Sequence, residues 1–433
     1  MENNFKTKRN IKGLSGEIII PPDKSISHRS IIFAALTSGV VEIKNLSLGE
    51  DCISTLKILE KLGVKHKFIS KRDLILDSSN GINYNGEAVL DCGNSGTTTR
   101  LMAGLLSWQK FNSILIVDAS LSKRPMKRII DPLAQMGANI ESNDNKLPLK
   151  INGSKLNSII YHSPIASAQV KSCILLAGLG AQGKTRVYEP SLSRNHSEIM
   201  FEYLGAQINS GKDENGYYTE IEKAKLTPKN LEVVGDISSA AFFMVAAAIV
   251  PNSSILIKNV GINPTRTGIL EVFKQAQIKF ELLNQKTVCN EQVADIKVEY
   301  SENIKPFEIS GDLIPKLIDE IPVLAILATQ ASGKSIVRDA KDLRNKESDR
   351  IKTIVESLSL FGIKIKENED GFEIWGKSKI NSCATLETHL DHRLAMSYYV
   401  LSLINDGEII INGFSCVNTS FPEFLELMDS LNN

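Results

Sequence analysis

Apolar runs that close on a glycine recur along the chain. Leu62-Gly63-Val64, Met136-Gly137-Ala138, Leu204-Gly205-Ala206 and Phe361-Gly362-Ile363 each end a helical pattern on a residue suited to the left-handed C-cap. A short strand pattern follows, with a polar hairpin over 138–151, 206–221 and 363–374. Gln275-Ala276-Gln277 before Ile278-Lys279-Phe280 reads as a fifth copy without the glycine, and 423–431 as a truncated sixth. The copies lie roughly 70 to 85 residues apart, beyond the roughly 20 to 50 of solenoid repeats. Each therefore predicts a small layer of about four strands and two helices.

Six such copies predict two similar domains of three, in an α/β (α+β) fold. The seams fall near Ile20-Pro21 and Val234-Gly235-Asp236. They give one domain over 21–235 and a second over 1–20 with 236–433. The strand pattern over 18–20 precedes the first copy and is expected to join the second domain, so the chain crosses twice. No low-complexity linker marks either seam, which favours hinge-like crossings over a floppy tether.

Composition narrows the classes of function. Of 433 residues 42% are apolar, enough for packed cores rather than disorder. Fifty Lys and Arg balance fifty Asp and Glu, which argues against a bulk nucleic-acid or anionic-membrane binder. Any anion site must be local. The six cysteines are scattered without paired metal spacing and fit free thiols in a reducing compartment. The opening residues are polar and basic, unlike a secretory signal. The longest apolar run, 240–250, is too short to span a bilayer.

Against that neutral background, polar motifs sit where apolar helices begin. Pro21-Pro22 stop a strand, and Asp23-Lys24-Ser25-Ile26-Ser27-His28-Arg29 lead into an apolar helix with Ser25 and Arg29 on one face. A helix start offers free N–H groups and partial positive charge, so Lys24 and Arg29 make it an anion seat; a capped surface helix with two solvated cations fits this one stretch equally. Asp91-Cys92-Gly93-Asn94-Ser95-Gly96 opens another helix, either as a backbone cradle for a ligand or as a Ser/Thr-capped turn. Lys123-Arg124-Pro125-Met126-Lys127-Arg128 is a basic run that fits either a solvated loop or a site in which Pro125 is expected to start the helix beside Arg124 and aim its guanidinium. Ser167-Ala168-Gln169-Val170-Lys171 caps a further helix. Asp319 and Glu320 lie against a strongly apolar helix, where a desolvated acid can serve as a base or simply oppose the helix dipole. Lys346, Glu347 and Arg350 are expected on one helical face, and Asp391-His392-Arg393 opens the last long apolar run.

Gly178 to Thr185 matches the P-loop pattern, but that loop needs a strand before and a helix after. Here the order is reversed. Taken together, Lys24, Arg29, Arg124, Lys346, Arg350 and Arg393 all lie at or next to expected helix starts, in both domains. If those starts converge, they would hold small polyanions, closing over them when bound.

The ordered motifs Asp-Lys-Ser-x-Ser-His-Arg, Gly-Asn-Ser-Gly-Thr, Lys-Arg-Pro-Met, Ser-x-Gln-x-Lys, Lys-Glu-Ser-Asp-Arg and Asp-His-Arg resemble those of 5-enolpyruvylshikimate-3-phosphate synthase, from about Gly13 to Phe424. The resemblance implies two domains of three βαβαββ units and a two-stranded hinge. It implies transfer of the enolpyruvyl group of phosphoenolpyruvate to the 5-hydroxyl of shikimate 3-phosphate, with no metal or organic cofactor, by a cytoplasmic monomer that binds neither nucleic acid nor membrane. Lys24, Ser25, Arg29, Ser167, Gln169, Asp319 and Lys346 would hold shikimate 3-phosphate. Lys24, Gly96, Arg124, Gln169, Arg350 and Arg393 would hold phosphoenolpyruvate. Asp319 would act as base, and Glu347, with Lys24, as the acid. Two departures stand out. Thr419-Ser420 precede Phe421-Pro422 where many members carry a lysine, and Asp342 stands where some carry asparagine. The related transferase acting on UDP-N-acetylglucosamine would be expected to carry a reactive cysteine within 120–124, and there is none. A repeat scaffold without activity would scatter these groups.

Overall fold

The computed structural model describes residues 4–7, 12–377 and 380–432. The basic opening run and the start of the 1–20 segment lie partly outside them. The chain forms two compact units, Pro22–Val234 with Thr287–Glu291, and Met1–Pro21 with Gly235–Lys286 and Gln292–Asn433.

The Pro22–Val234 unit carries α1 (Lys24–Ala35), α2 (Glu50–Lys61), α3 (Gly96–Leu106), α4 (Lys127–Gln135), α5 (Ala168–Gly178) and α6 (His196–Tyr203). Its three sheets each have four strands. The middle repeat shows the rule. Glu87–Asp91 runs parallel to Asn112–Ile116, which pairs antiparallel with Lys146–Asn152 of a hairpin completed by Asn139–Asn143. With α3 and α4 interposed, the order is βαβαββ.

The other unit carries α7 (Ile237–Ile249), α8 (Gly268–Ala276), α9 (Ile314–Leu317), α10 (Ile321–Gln330), α11 (Arg350–Ser359), α12 (His392–Ser402) and α13 (Phe424–Ser430). Two of its sheets have four strands. The sixth repeat is cut short to three, with Phe5–Thr7 laid antiparallel on Ile409–Asn412.

Strand exchange links the repeats. Ser15–Ile19 precedes α1 in sequence but pairs parallel with Ser254–Gly261, beside α7. Leu231–Glu232 precedes α7 but pairs parallel with Val40–Lys44, beside α1.

Two kinds of helix alternate, and the sequence explains both. In α7 every residue but Ser239 is buried, and α10 is buried from Ile321 to Thr329. Such all-round apolar helices belong in a core. α7, α10 and α12 pack on one another, as do α3 and α5. α2, α4, α8 and α11 are instead amphipathic and half-exposed. Strands such as Glu87–Asp91 alternate exposed and buried side chains, so the sheets keep one face to solvent and one to the helices. The apolar helices are inside and the sheets outside. The fifth repeat, lacking its glycine, ends α8 on Gln277 with φ of 57°, so the left-handed cap is kept without the residue that usually supplies it. Among the described residues no helix is long and apolar enough to cross a membrane.

Close helix packing has a checkable cost. A Cβ on Gly104 of α3 would lie 2.1 Å from the Cys173 carbonyl oxygen of α5. Gly104→Ala should gain about 1 kcal/mol of helix propensity. Overpacking should cost about 1–3 kcal/mol, because backbone cannot swing aside. A lowered melting temperature in calorimetry is expected; an unchanged or raised one contradicts this packing.

Candidate active site

In the Pro22–Val234 unit, Asp23 caps α1 by accepting from the Ile26 N–H at 2.8 Å. Lys24 is therefore the first helical residue, and its Nζ donates to Asp51 Oδ2 at 3.0 Å. Arg29 lies a turn further in and is buried. Its guanidinium donates to the Ser25 carbonyl at 2.9 Å and to the Ser172 and Ser197 hydroxyls, each at 2.7 Å. Burial pulls its pKa down to about 10 against the pull of Glu198 and Asp23, so it stays charged at neutral pH. Beside it, burial lowers His28 to about 3, leaving a neutral ring. His28 Nδ1 lies 2.8 Å from Thr55 Oγ1, which lies 2.7 Å from Thr98 Oγ1. That row of His28, Thr55 and Thr98 ties α1, α2 and α3 together.

Ser95 caps α3, accepting from the Thr98 N–H at 3.1 Å. A Cβ on Gly96 would sit 2.6 Å from Arg100 Nη1, so glycine leaves that guanidinium its place. Arg100 Nη1 donates to the Gly96 carbonyl at 3.2 Å and to Gln169 Oε1 at 2.8 Å, while Gln169 Nε2 donates to Thr97 Oγ1 at 3.0 Å. Gly96 and Gln169, which are 73 residues apart in the chain, thus meet around Arg100. Ser167 caps α5, and its N–H donates to Glu189 Oε1 at 3.0 Å.

In the other unit one guanidinium gathers the acids. Arg350, the first residue of α11, is 1% exposed. Its Nε donates to Asp391 Oδ2 at 2.7 Å and its Nη2 to Glu347 Oε2 at 2.7 Å, with Asp319 Oδ1 at 3.6 Å from Nη1. Burial alone would lower the Arg350 pKa; Asp391 and Glu347 outweigh it and hold it above the ordinary value. Burial would likewise raise Asp391, but Arg350 holds it below the usual carboxylate range. Arg393 closes the group. Its Nη1 donates to the Asp319 carbonyl at 3.3 Å, its Nη2 lies 3.9 Å from Asp319 Oδ2, and its N–H donates to the α12 cap, Asp391, at 3.0 Å.

Several expectations need correction. The α4 helix starts at Lys127, with Met126 as its cap, not at Pro125. Arg124, preceding proline, is extended at φ −78° and ψ 137°, because the proline ring crowds the helical conformation of its neighbour. Lys346 does not share a helical face with Arg350. Asp349 caps α11 through the Lys352 N–H, so Lys346 lies outside the helix, following a short 3-10 turn, and pairs with Asp342 at 3.2 Å. Asp319 is not set on an apolar helix wall. It lies in the turn between α9 and α10 with two guanidinium groups as neighbours. The cations are also less bare than their motifs suggest, since Lys24, Arg350 and Arg393 each face a carboxylate. Pattern reading missed Asp51 and Arg100, and it noted Asp391 only as a neighbour of His392. The signal in the sequence for buried counter-charges is Lys171, a lysine just ahead of the apolar run of α5.

The fold is shared with a crystal structure of the enolpyruvyl transferase NikO from Streptomyces tendae, at a TM-score of 0.77 over 98% of this chain and 96% of that one. At 14% identity this is a likeness of fold alone. The family model for EPSP synthase (3-phosphoshikimate 1-carboxyvinyltransferase) matches residues 8–428, and the chain belongs to that family. The 3-phosphoshikimate 1-carboxyvinyltransferase of Petrotoga mobilis (strain DSM 10674 / SJ95) is 48% identical over 97% of this chain and 98% of its own length. That of Thermoanaerobacter sp. (strain X514) is 47% identical over the whole of both. A solved EPSP synthase structure from Acinetobacter baumannii matches at a TM-score of 0.89 and 40% identity, covering 100% of this chain and 98% of that one.

The Arg350–Asp391 pair predicts a pH-dependent stability. Because folding lowers the Asp391 pKa, the pair stabilises fully above about pH 4 and its contribution is lost as pH falls through the folded value. Removing one partner of a buried pair costs about 3–5 kcal/mol. Asp391→Asn should therefore melt well below the parent at pH 7, with the gap narrowing below about pH 4. A gap independent of pH in thermal melts would contradict the pairing.

Proposed function

We propose that this chain transfers the enolpyruvyl group of phosphoenolpyruvate to the 5-hydroxyl of shikimate 3-phosphate, giving 5-enolpyruvylshikimate 3-phosphate and phosphate. This is a step toward chorismate and the aromatic amino acids. The observation that carries the reading is that Asp319 and Glu347 share one buried guanidinium, Arg350, in a chain of the EPSP synthase family. One cation thus gathers in one place the two carboxylates that the family resemblance casts as base and acid.

The chemistry needs both. The enol carbon of phosphoenolpyruvate becomes electrophilic only as its methylene gains a proton. In this proposal Asp319 takes the proton of the 5-hydroxyl as its oxygen bonds to that carbon, and Glu347, assisted by Lys24, protonates the methylene. The tetrahedral intermediate then breaks its bond to the phosphate oxygen while the methyl group returns a proton, restoring the double bond. Arg124, Arg350 and Arg393, with Lys24, Gly96 and Gln169, hold phosphoenolpyruvate and stabilise the charge leaving on phosphate. Lys24, Ser25, Arg29, Ser167, Gln169, Asp319 and Lys346 hold shikimate 3-phosphate. The set leaves out one phosphoenolpyruvate contact that many members make through a lysine before the Phe-Pro, where this chain has Thr419-Ser420.

In the same proposal residues 21–235 form one enolpyruvyl-transferase domain and 1–20 with 236–433 the other, joined by the two crossings. The protein works as a monomer in the cytoplasm, a reducing setting that suits free cysteines such as Cys52, Cys92 and Cys173.

Incubation with phosphoenolpyruvate and shikimate 3-phosphate, without nucleotide or added metal, should release phosphate in step with loss of both substrates. No release sinks the assignment. Asp319→Ala should lower kcat by about 10²-fold or more, in line with loss of a general base. Its melting curve should stay cooperative. Near-normal turnover would remove Asp319 from that role.

A further inference from the structure

Beneath the α5 start lies a buried ion cluster that the transfer chemistry does not use. Lys171 is 1% exposed, in the second turn of α5. Its Nζ lies 2.8 Å from Glu189 Oε2 and 2.7 Å from Glu198 Oε1, and it donates to the Ser193 carbonyl at 3.4 Å. Glu189 ends the strand Thr185–Glu189, and Glu198 lies in the first turn of α6. Burial by itself would lower the lysine's pKa; Glu198 and Glu189 outweigh it and keep the pKa raised. Three buried charges are costly, and such a cluster is kept only where each member has partners.

Those partners lead to substrate-binding groups on both sides. Glu189 Oε1 accepts from the Ser167 N–H at 3.0 Å, fixing the residue that caps α5. On the other side, the Lys171–Glu198 contact joins α5 to α6. The next residues along, Ser172 and Ser197, lie 2.6 Å apart by their hydroxyls, and both accept from Arg29. Glu198 also opposes the loss of charge on Arg29. Charges therefore alternate from Arg29 through Glu198 and Lys171 to Glu189, ending on the backbone of Ser167.

We infer that Lys171, Glu189 and Glu198 are positioning residues that set Ser167 and Arg29 for shikimate 3-phosphate, without touching it themselves. This rests on the binding roles given above to Ser167 and Arg29. Lys171→Met would strand two buried carboxylates and is liable not to fold, so the test uses Glu189→Gln. A carboxylate serves both Lys171 and the Ser167 N–H. A carboxamide has one acceptor oxygen; with the Lys171 ammonium keeping it, the amide NH2 faces the Ser167 N–H, which loses its acceptor.

The expected result is a KM for shikimate 3-phosphate raised about tenfold, equivalent to about 1.4 kcal/mol. The KM for phosphoenolpyruvate should move less than about twofold, and kcat at saturating substrate should fall by less than about threefold, since only uniform binding of one substrate is weakened. In a Ser167→Ala background Glu189→Gln should add almost nothing, because its effect passes through Ser167. An unchanged KM overturns the inference, as do equal rises in both KM values with a lowered melting temperature, or additive losses in the double variant. Absence of phosphate release by the parent chain would overturn the function itself, and this inference with it.

Discussion

A helix packed on every side has nowhere to keep a polar side chain unpaired except near its ends. That constraint governs this fold. The inner helices α1, α3, α5, α7, α10 and α12 are buried along most of their length. Their chemistry is pressed into the first turns. Lys24, Gly96, Ser167 and Arg393 all stand there, and Asp319 lies just before α10. The same turns carry free N–H groups and the positive end of the helix dipole, so an anion placed there would meet both backbone and cation.

Where a charge does enter the buried region, it is answered. Arg350 is held by Asp391, Glu347 and Asp319, and Lys171 by Glu189 and Glu198. A paired guanidinium keeps one orientation and still has hydrogens to offer, which is what recognition of a carboxylate or phosphate requires. Pairing also holds down the repulsion among cations in the unliganded protein, a term that bare motifs would overstate.

The outer sheets have a quieter role. Each repeat closes its own small sheet, and the exchanged strands Ser15–Ile19 and Leu231–Glu232 complete sheets of repeats that lie far away in sequence. The repeat is thus preserved in space although it is broken in the chain.

Sequence alone determined the repeat, the α/β class and most helix starts, because these follow from local signals: apolar period, capping residues, and glycine or proline at the turns. The motifs also pointed to an anion-handling enzyme, through residue types that lie close together in the chain. Tertiary structure alone decided who answers each charge. Arg350 and Asp391 are 41 residues apart, Arg100 and Gln169 69, and Arg29 and Ser197 168. No local propensity encodes such pairs, since they exist only once packing has brought their helices together. The start of α4 and the separation of Lys346 from α11 have a local cause instead. There, cap geometry overruled the helical spacing that the sequence suggested.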